Sequence, residues 1–295
     1  MSYAIVSFKK KKIFDTLETN TICDELEIKI PEFKEKKQQK YAKKMNKILN
    51  KYKINRVVLS SDLRNFEDFK NIMMQNNYDV ISGKKMYKVL LLMMLQDVAT
   101  YMKFEKEKMN VGILVNEYSA DHIELIKRIA DEVKSVTLIT NNAYRFEQVV
   151  QELLKNQGIV IQLVNTKAKL KRKHVFINFD FSDIELEKLN LPNETVFITN
   201  SGVPVKMKQS FNGIVIRDID IYLGRKVEKF RTLELCEAYV YQNLKRMKEN
   251  EVRFQHSNYK INGYIGNNGK IEQADFERLG KIFLKNKKQN VKNKA

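Results

Sequence analysis

Cysteine is nearly absent. Cys23 and Cys236 are the two in 295 residues, so no disulfide framework can form and a cytoplasmic location is expected. Long apolar runs are missing as well. The longest uninterrupted one, Val89 to Leu95, meets Gln96 and Asp97 at once, far short of the roughly 20 residues a bilayer span needs. The lysines at 9 to 12 lead into no apolar stretch of signal-peptide length, which argues against export. His122, His174 and His256 have no ligand spacing, which argues against a zinc site. Cys236 falls within an apolar helical stripe, as a core thiol does rather than a nucleophile.

Arginine is scarce beside lysine, 11 of the 54 basic residues, and the net charge is +18. A lysine- and asparagine-rich chain has the look of an AT-rich coding bias, and solvated lysine faces account for much of such a charge. The positive residues nevertheless cluster: Lys9 to Lys12, Lys34 to Lys53, the run Lys167, Lys169, Lys171, Arg172 and Lys173, and Lys281 to Lys294. Patches of this kind attract nucleic acid or another polyanion by counterion release.

What is present is a repeat of short apolar runs and helical stretches. The runs are 110–115, 136–140, 159–164, 174–178 and 195–199, each rich in Val and Ile. Runs so short and apolar read as strands buried on both faces, hence a parallel sheet with helices above and below. Residues 119–133 and 142–156 carry apolar side chains at helical spacing, with Ser119 and Asp121 placed as caps and Gly158 as a terminator. Upstream, 3–8 and 21–30 read as strands, 32–52 as a charged helix, 56–60 as a strand and 66–74 as a helix, together a small α/β layer. Residues 84–104 form the longest helix expected, apolar on most sides and therefore buried on most sides.

Beyond the sheet, 203–220 reads as short strands and 232–250 as a helix, of which 233–241 returns the chain to the long helix. Residues 267–276 imitate part of a calcium loop. Too few oxygens fall at ligand positions there, and a hairpin turning at Gly266-Asn-Asn-Gly269 fits better. After Leu284 the tail is Lys and Asn with almost nothing apolar, which predicts disorder. The expected organisation is a small α/β domain at 1–83, a connecting helix at 84–106, a parallel-sheet domain at 107–222, a helical segment with a hairpin at 223–284, and a basic tail.

The leading α/β domain, the long helix and the stretch Val136-Thr-Leu-Ile-Thr-Asn-Asn-Ala-Tyr-Arg-Phe resemble the nucleotide domain of shikimate dehydrogenases and glutamyl-tRNA reductases. The resemblance implies a Rossmann-like domain. It also implies that Asn141 matches the Asn of a turn receiving the 2′-phosphate of NADP, with Arg145 the nearest cation, and that Val175 to Asn178 borders the nicotinamide side. The chain departs from that pattern after the first strand. Glycines should stand there so that backbone amides reach the pyrophosphate, whereas the sequence reads Val115-Asn-Glu-Tyr-Ser-Ala-Asp-His122. Tyr118 is expected to fill the phosphate space, and Glu117 and Asp121 to repel the charge.

A row of polar residues survives at the strand ends, Asn116, Asn141, Asn165, Asn178 and Thr199-Asn-Ser201, and the cap Ser119 joins Asn116, Asn141, Asn178 and Thr199 as a candidate ligand contact. The carboxyl edge of a parallel sheet is where such folds bind ligands, although asparagine also ends strands for conformational reasons alone. Three readings stay open. One is a non-catalytic binding or regulatory module without a cofactor, taking a small ligand at the strand edge or a protein partner. Another is an NADP-dependent oxidoreductase using Arg145 and Asn178. The last is a nucleic-acid binder acting through its lysines.

Overall fold

Alternating side chains on the first strand, β1 (Tyr3–Lys9), reach two different apolar layers. In this computed structural model, which describes residues 3–10, 16–22, 25–64, 66–166, 170, 172–224, 229–240 and 260–292, Ala4 and Val6 join one core and Tyr3 and Ile5 another. Backbone contacts divide the chain into two units, 1–89 with 220–262 and 90–219 with 263–295.

The first unit holds a sheet of β2 (Glu18–Ile22), β3 (Glu25–Pro31), β1, β4 (Arg56–Leu59) and β5 (Asp79–Val80), in that spatial order. β2 runs antiparallel to β3 and the remaining pairs are parallel. The single strand expected at 21–30 is thus two strands. Residues 18–21 are polar and exposed, as suits an edge. One face is covered by α1 (Gln38–Lys51) and α3 (Glu67–Gln75), which follows the short α2 (Ser61–Arg64). Tyr41, Ala42, Met45 and Leu49 recur on one side of α1 and are all buried, with Phe33 stacked on Tyr41 at 4.9 Å. The other face receives Leu235 and Ala238 of α8 (Thr232–Val240).

That same helix explains the start of α4 (Lys84–Tyr101), whose first amides need acceptors. The buried Glu237 carboxylate accepts N–H bonds from Lys85 at 2.8 Å and Met86 at 3.0 Å. Its pKa is raised because burial outweighs these bonds. The return to the long helix expected at 233–241 is therefore a carboxylate cap, and the rest of the helix expected to 250 lies outside the described residues.

The second unit contains β6 (Asn110–Leu114), β7 (Ser135–Thr140), β8 (Ile161–Asn165), β9 (Val175–Asn178), β10 (Val196–Ile198) and β11 (Ile214–Ile216). Their spatial order is β11-β10-β9-β6-β7-β8, and every neighbouring pair is parallel. Counted from β6 this is 6-5-4-1-2-3, the strand order of dinucleotide-binding sheets, which reverses direction between β6 and β9. The parallel sheet with flanking helices expected from the apolar runs is what this unit adopts, and its strand order is Rossmann-like. Helices α5 (Ala120–Glu132) and α6 (Ala143–Gln157) make the crossovers of the first half, and α7 (Asp183–Lys188) is a short link in the second.

Two glycines have identifiable work. Gly158 ends α6 with φ of 68°, the left-handed conformation. Gly112 lies in mid-strand opposite Phe176, whose ring is 2.6 Å from where a Cβ would stand, so β6 admits only glycine there without displacing that ring. The hairpin expected around Gly266 to Gly269 is present as β12 (Lys260–Gly266) and β13 (Gly269–Lys270), with Ile265 paired to Lys270. Asn267 in its turn clasps the backbone of Val205 through both ends of its amide.

Helix α9 (Gln273–Lys292) extends past Leu284 into the stretch for which the sequence predicts disorder. Lysine and glutamine are good helix formers even without an apolar stripe, and the helix is already nucleated by the buried Phe276 and Leu279. Among the described residues no helix is long and apolar enough to cross a membrane.

Candidate functional site

The direction reversal between β6 and β9 places the loop after β6 beside the loop after β9, at the carboxyl edge. Here a dinucleotide fold would present bare amides to a pyrophosphate. In this chain the amides are already taken. Asp180 accepts the N–H of Asn116 on one carboxylate oxygen at 2.8 Å and that of Glu117 on the other at 2.6 Å. An internal carboxylate thus sits on the two amides at the head of the loop, with charge and geometry like an anionic ligand.

Tyr118 does not play the role expected of it. Its side chain is 48% exposed and leans on the buried Phe146 with ring centroids 5.7 Å apart. The carboxylate on the loop amides belongs to Asp180, 64 residues downstream of Asn116 in sequence. Glu117 is exposed, as is Asp121 in the first turn of α5.

The row of polar strand-end residues forms a connected network. Asn116 Oδ1 accepts the amide N–H of Asn141 at 2.8 Å and the hydroxyl of Thr140 at 3.3 Å, while its Nδ2 donates to Glu185 Oε1 at 2.8 Å. Asn141 donates to the same Glu185 oxygen at 3.3 Å and accepts from the hydroxyl of Thr166. The buried Asn178 donates to the carbonyl of Phe181 and to the Thr199 hydroxyl at 3.2 Å, and accepts the Phe181 N–H. Ser119 caps α5 by accepting the His122 N–H at 3.3 Å. Asn116 and Asn141 are thereby brought together, and so are Asn178 and Thr199. Arg145 stands apart from that bonding, exposed on α6, with its Nε donating to the Tyr144 hydroxyl at 3.0 Å.

Glu185 is the hub that sequence reading missed. Its Oε2 accepts from the amide and hydroxyl of Ser182, both at 2.8 Å, which completes a capping box on α7. Its Oε1 holds Asn116 and Asn141. The Ser-x-x-Glu spacing at 182–185 was a readable signal for the cap, but nothing local points to the strand ends. Replacing Ser182 with Ala is expected to lower stability by about 1 kcal/mol in urea denaturation, the ordinary worth of a lost cap.

Glu117, His122 and Asp180 also bring metal-ligand types together, with candidate ligand atoms within 4.8 Å of one another. These donors have partners within the chain. His122 Nδ1 lies 2.9 Å from the carbonyl oxygen of Glu117, a pure acceptor, so that nitrogen carries the proton. Both Asp180 oxygens accept amides, and the 3.9 Å from His122 Nδ1 to Asp180 is an ordinary electrostatic contact.

The basic run Lys167, Lys169, Lys171, Arg172 and Lys173 is only partly visible. Lys167, Lys169 and Lys171 lie outside the described residues. Arg172 pairs with Glu194 at 2.9 Å and stacks over the Phe283 ring at 4.4 Å, so its charge is engaged within the fold. Lys173 is likewise partnered.

Neither a protein-family model nor a curated protein matches this chain. Among solved structures it overlaps L-tryptophan dehydrogenase from Nostoc punctiforme at 9% identity and a TM-score of 0.31, covering 58% of this chain and 50% of that one. It overlaps a putative aspartate carbamoyltransferase from Trypanosoma cruzi at 9% identity and 0.31, covering 70% and 72%. A dimethyladenosine transferase from Plasmodium falciparum overlaps at 13% identity and 0.25, covering 32% and 34%. The chain thus spans about a third of the length of that transferase and half of that of the dehydrogenase. Overlaps this shallow carry no argument, and the fold stands on its own strand order.

Proposed function

We propose that the second unit is a dinucleotide-type scaffold whose phosphate position is occupied by its own carboxylate. The chain then acts as a non-catalytic binding or regulatory module. The observation that supports this reading is the Asp180 carboxylate on the amides of Asn116 and Glu117. A pyrophosphate would have to displace a charge-assisted pair of hydrogen bonds, each worth about 1.5–3 kcal/mol, and then lie beside Glu117. The strand-end asparagines are likewise committed to one another and to Glu185, so a ligand gains few new partners there.

Titration with NADPH and with NADH tests the reading. No heat of binding and no rise in melting temperature are expected up to about 1 mM. A ligand present at about 100 times its Kd would stabilise the fold by roughly 2.7 kcal/mol, which a thermal melt resolves. Micromolar affinity for NADPH overturns the reading in favour of an NADP-dependent oxidoreductase akin to the shikimate dehydrogenases. In that case the exposed Arg145 at the N-terminal end of α6 is the residue to meet the 2′-phosphate.

A further inference from the structure

We infer that the outer face of α1 is a docking surface for the phosphate backbone of a nucleic-acid duplex, read without regard to sequence. The inference is independent of the closed phosphate position, since it concerns the first unit. Lys40, Lys43, Lys47 and Lys51 follow one another at intervals of three and four residues and are all exposed, so they lie on one side of the helix. At about 1.5 Å per residue they advance by about 4.5–6 Å from one to the next. Successive phosphates on one strand of a duplex advance by about 3.4 Å along its axis, so every second one advances by about 6.8 Å, and a flexible lysine side chain absorbs the difference.

Coding bias does not account for this face. Helix α1 contains no acidic residue at all among its 14. On α5 the cations Lys127 and Arg128 are matched by Asp121, Glu124, Asp131 and Glu132, and on α6 Arg145 and Lys155 are matched by Glu147 and Glu152. A bias toward lysine codons raises lysine everywhere and removes acids nowhere. Among the described residues, moreover, Lys40, Lys43, Lys47 and Lys51 make no ion pair with a carboxylate, in contrast to Lys103, Lys106, Lys108 and Lys206.

The opposite side of α1 selects between kinds of polyanion. A helix that lies on an anionic membrane does so by sinking a free apolar face into it. The apolar face of α1 is spent on its own core, with Tyr41, Ala42, Met45 and Leu49 buried. Single strands are held by exposed aromatic platforms, and the aromatic residue within this helix, Tyr41, is 1% exposed. The helix is also held in place from the side, since the Tyr78 hydroxyl bonds to Asn46 and, at 2.9 Å, to Asn50. A row of point charges on an anchored helix, whose one half-exposed neighbouring ring, Tyr52, already lies under Lys51 Nζ at 5.5 Å, suits a duplex backbone.

The test is fluorescence anisotropy of the full chain on a labelled duplex of about 20 base pairs at several salt concentrations. If the row covers four phosphates, log K should fall with log salt at a slope of roughly −3 to −4, or about 100-fold between 50 and 200 mM. The variant Lys40→Gln, Lys43→Gln, Lys47→Gln and Lys51→Gln should lose most of the affinity and flatten the slope to near zero. A control with Lys103, Lys108, Lys155 and Lys206 changed to Gln removes the same charge away from α1 and should keep the wild-type slope. Circular dichroism melts confirm that both variants are folded. The inference is overturned if the two variants lose binding equally, which is net charge alone, or if the α1 variant binds like wild type, which places binding elsewhere. Binding to phosphatidylserine vesicles in preference to the duplex overturns it as well.

Discussion

Lowering the pH from neutrality to about 4 is expected to remove roughly 3 kcal/mol of stability through His174 alone. Its ring lies between Phe104 and Phe283, each 4.6 Å away by centroid, and Nδ1 accepts the Asn110 N–H at 2.8 Å. Burial, followed by the nearby charge of Arg172 and Lys134, brings its pKa from 6.5 down to about 4. Protonation would turn the acceptor into a donor facing another donor. Between those pH values the unfolded chain binds the proton and the folded chain does not, so stability is full above 6.5 and is lost as the pH falls toward 4. At about 1.36 kcal/mol per pH unit the interval amounts to roughly 3 kcal/mol.

Urea denaturation over this pH range checks it, with His174→Gln as the reference, since Gln offers an acceptor to Asn110 and has no proton to gain. The stability of the variant should fall by roughly 3 kcal/mol less than that of wild type on acidification. Parallel curves for the two proteins would remove His174 from the account. Glu237 and Asp97 cannot imitate the effect. Both are acids whose pKa burial raises, so in the fold they take up protons before the unfolded chain does and add stability as the pH falls.

The sheet of the second unit was legible because its information is local. Each strand is a short Val- and Ile-rich run, and a run of that kind is buried wherever it folds. Gly158 and Ser119 were legible for the same reason, since a helix terminator and a cap act within a turn of where they stand. The carboxylate on the loop amides was not. The amides belong to residues 116 and 117 and the carboxylate to 180, and only the strand order, β9 beside β6 rather than beside β8, brings them together. The expectation fixed on Tyr118 because it was the bulky residue nearest in sequence. Glu185 was obscured in the same way. The capping box it completes is local, but the bonds to Asn116 and Asn141 depend on the same reversal.

Replacing Asp180 with Ala is expected to cost the second unit about 3 kcal/mol, the low end for two hydrogen bonds to a charged acceptor. The bonds run from consecutive amides to separate oxygens of one carboxylate, so truncation orphans both donors at the N-terminal approach to α5. Asp180→Asn, which keeps the shape and one carbonyl acceptor, should cost about half as much. The experiment also tells a structural brace from a closed anion site. In the alanine variant the two amides face an emptied position of carboxylate size, and added formate should raise its melting temperature by linkage while leaving wild type unchanged. An alanine variant as stable as wild type would mean that the amides find water as readily as a carboxylate, and the obstruction would then lie with Glu117. A variant that is destabilised and rescued by formate would identify the loop as an anion-binding turn of the dinucleotide kind, held shut by the chain's own side chain.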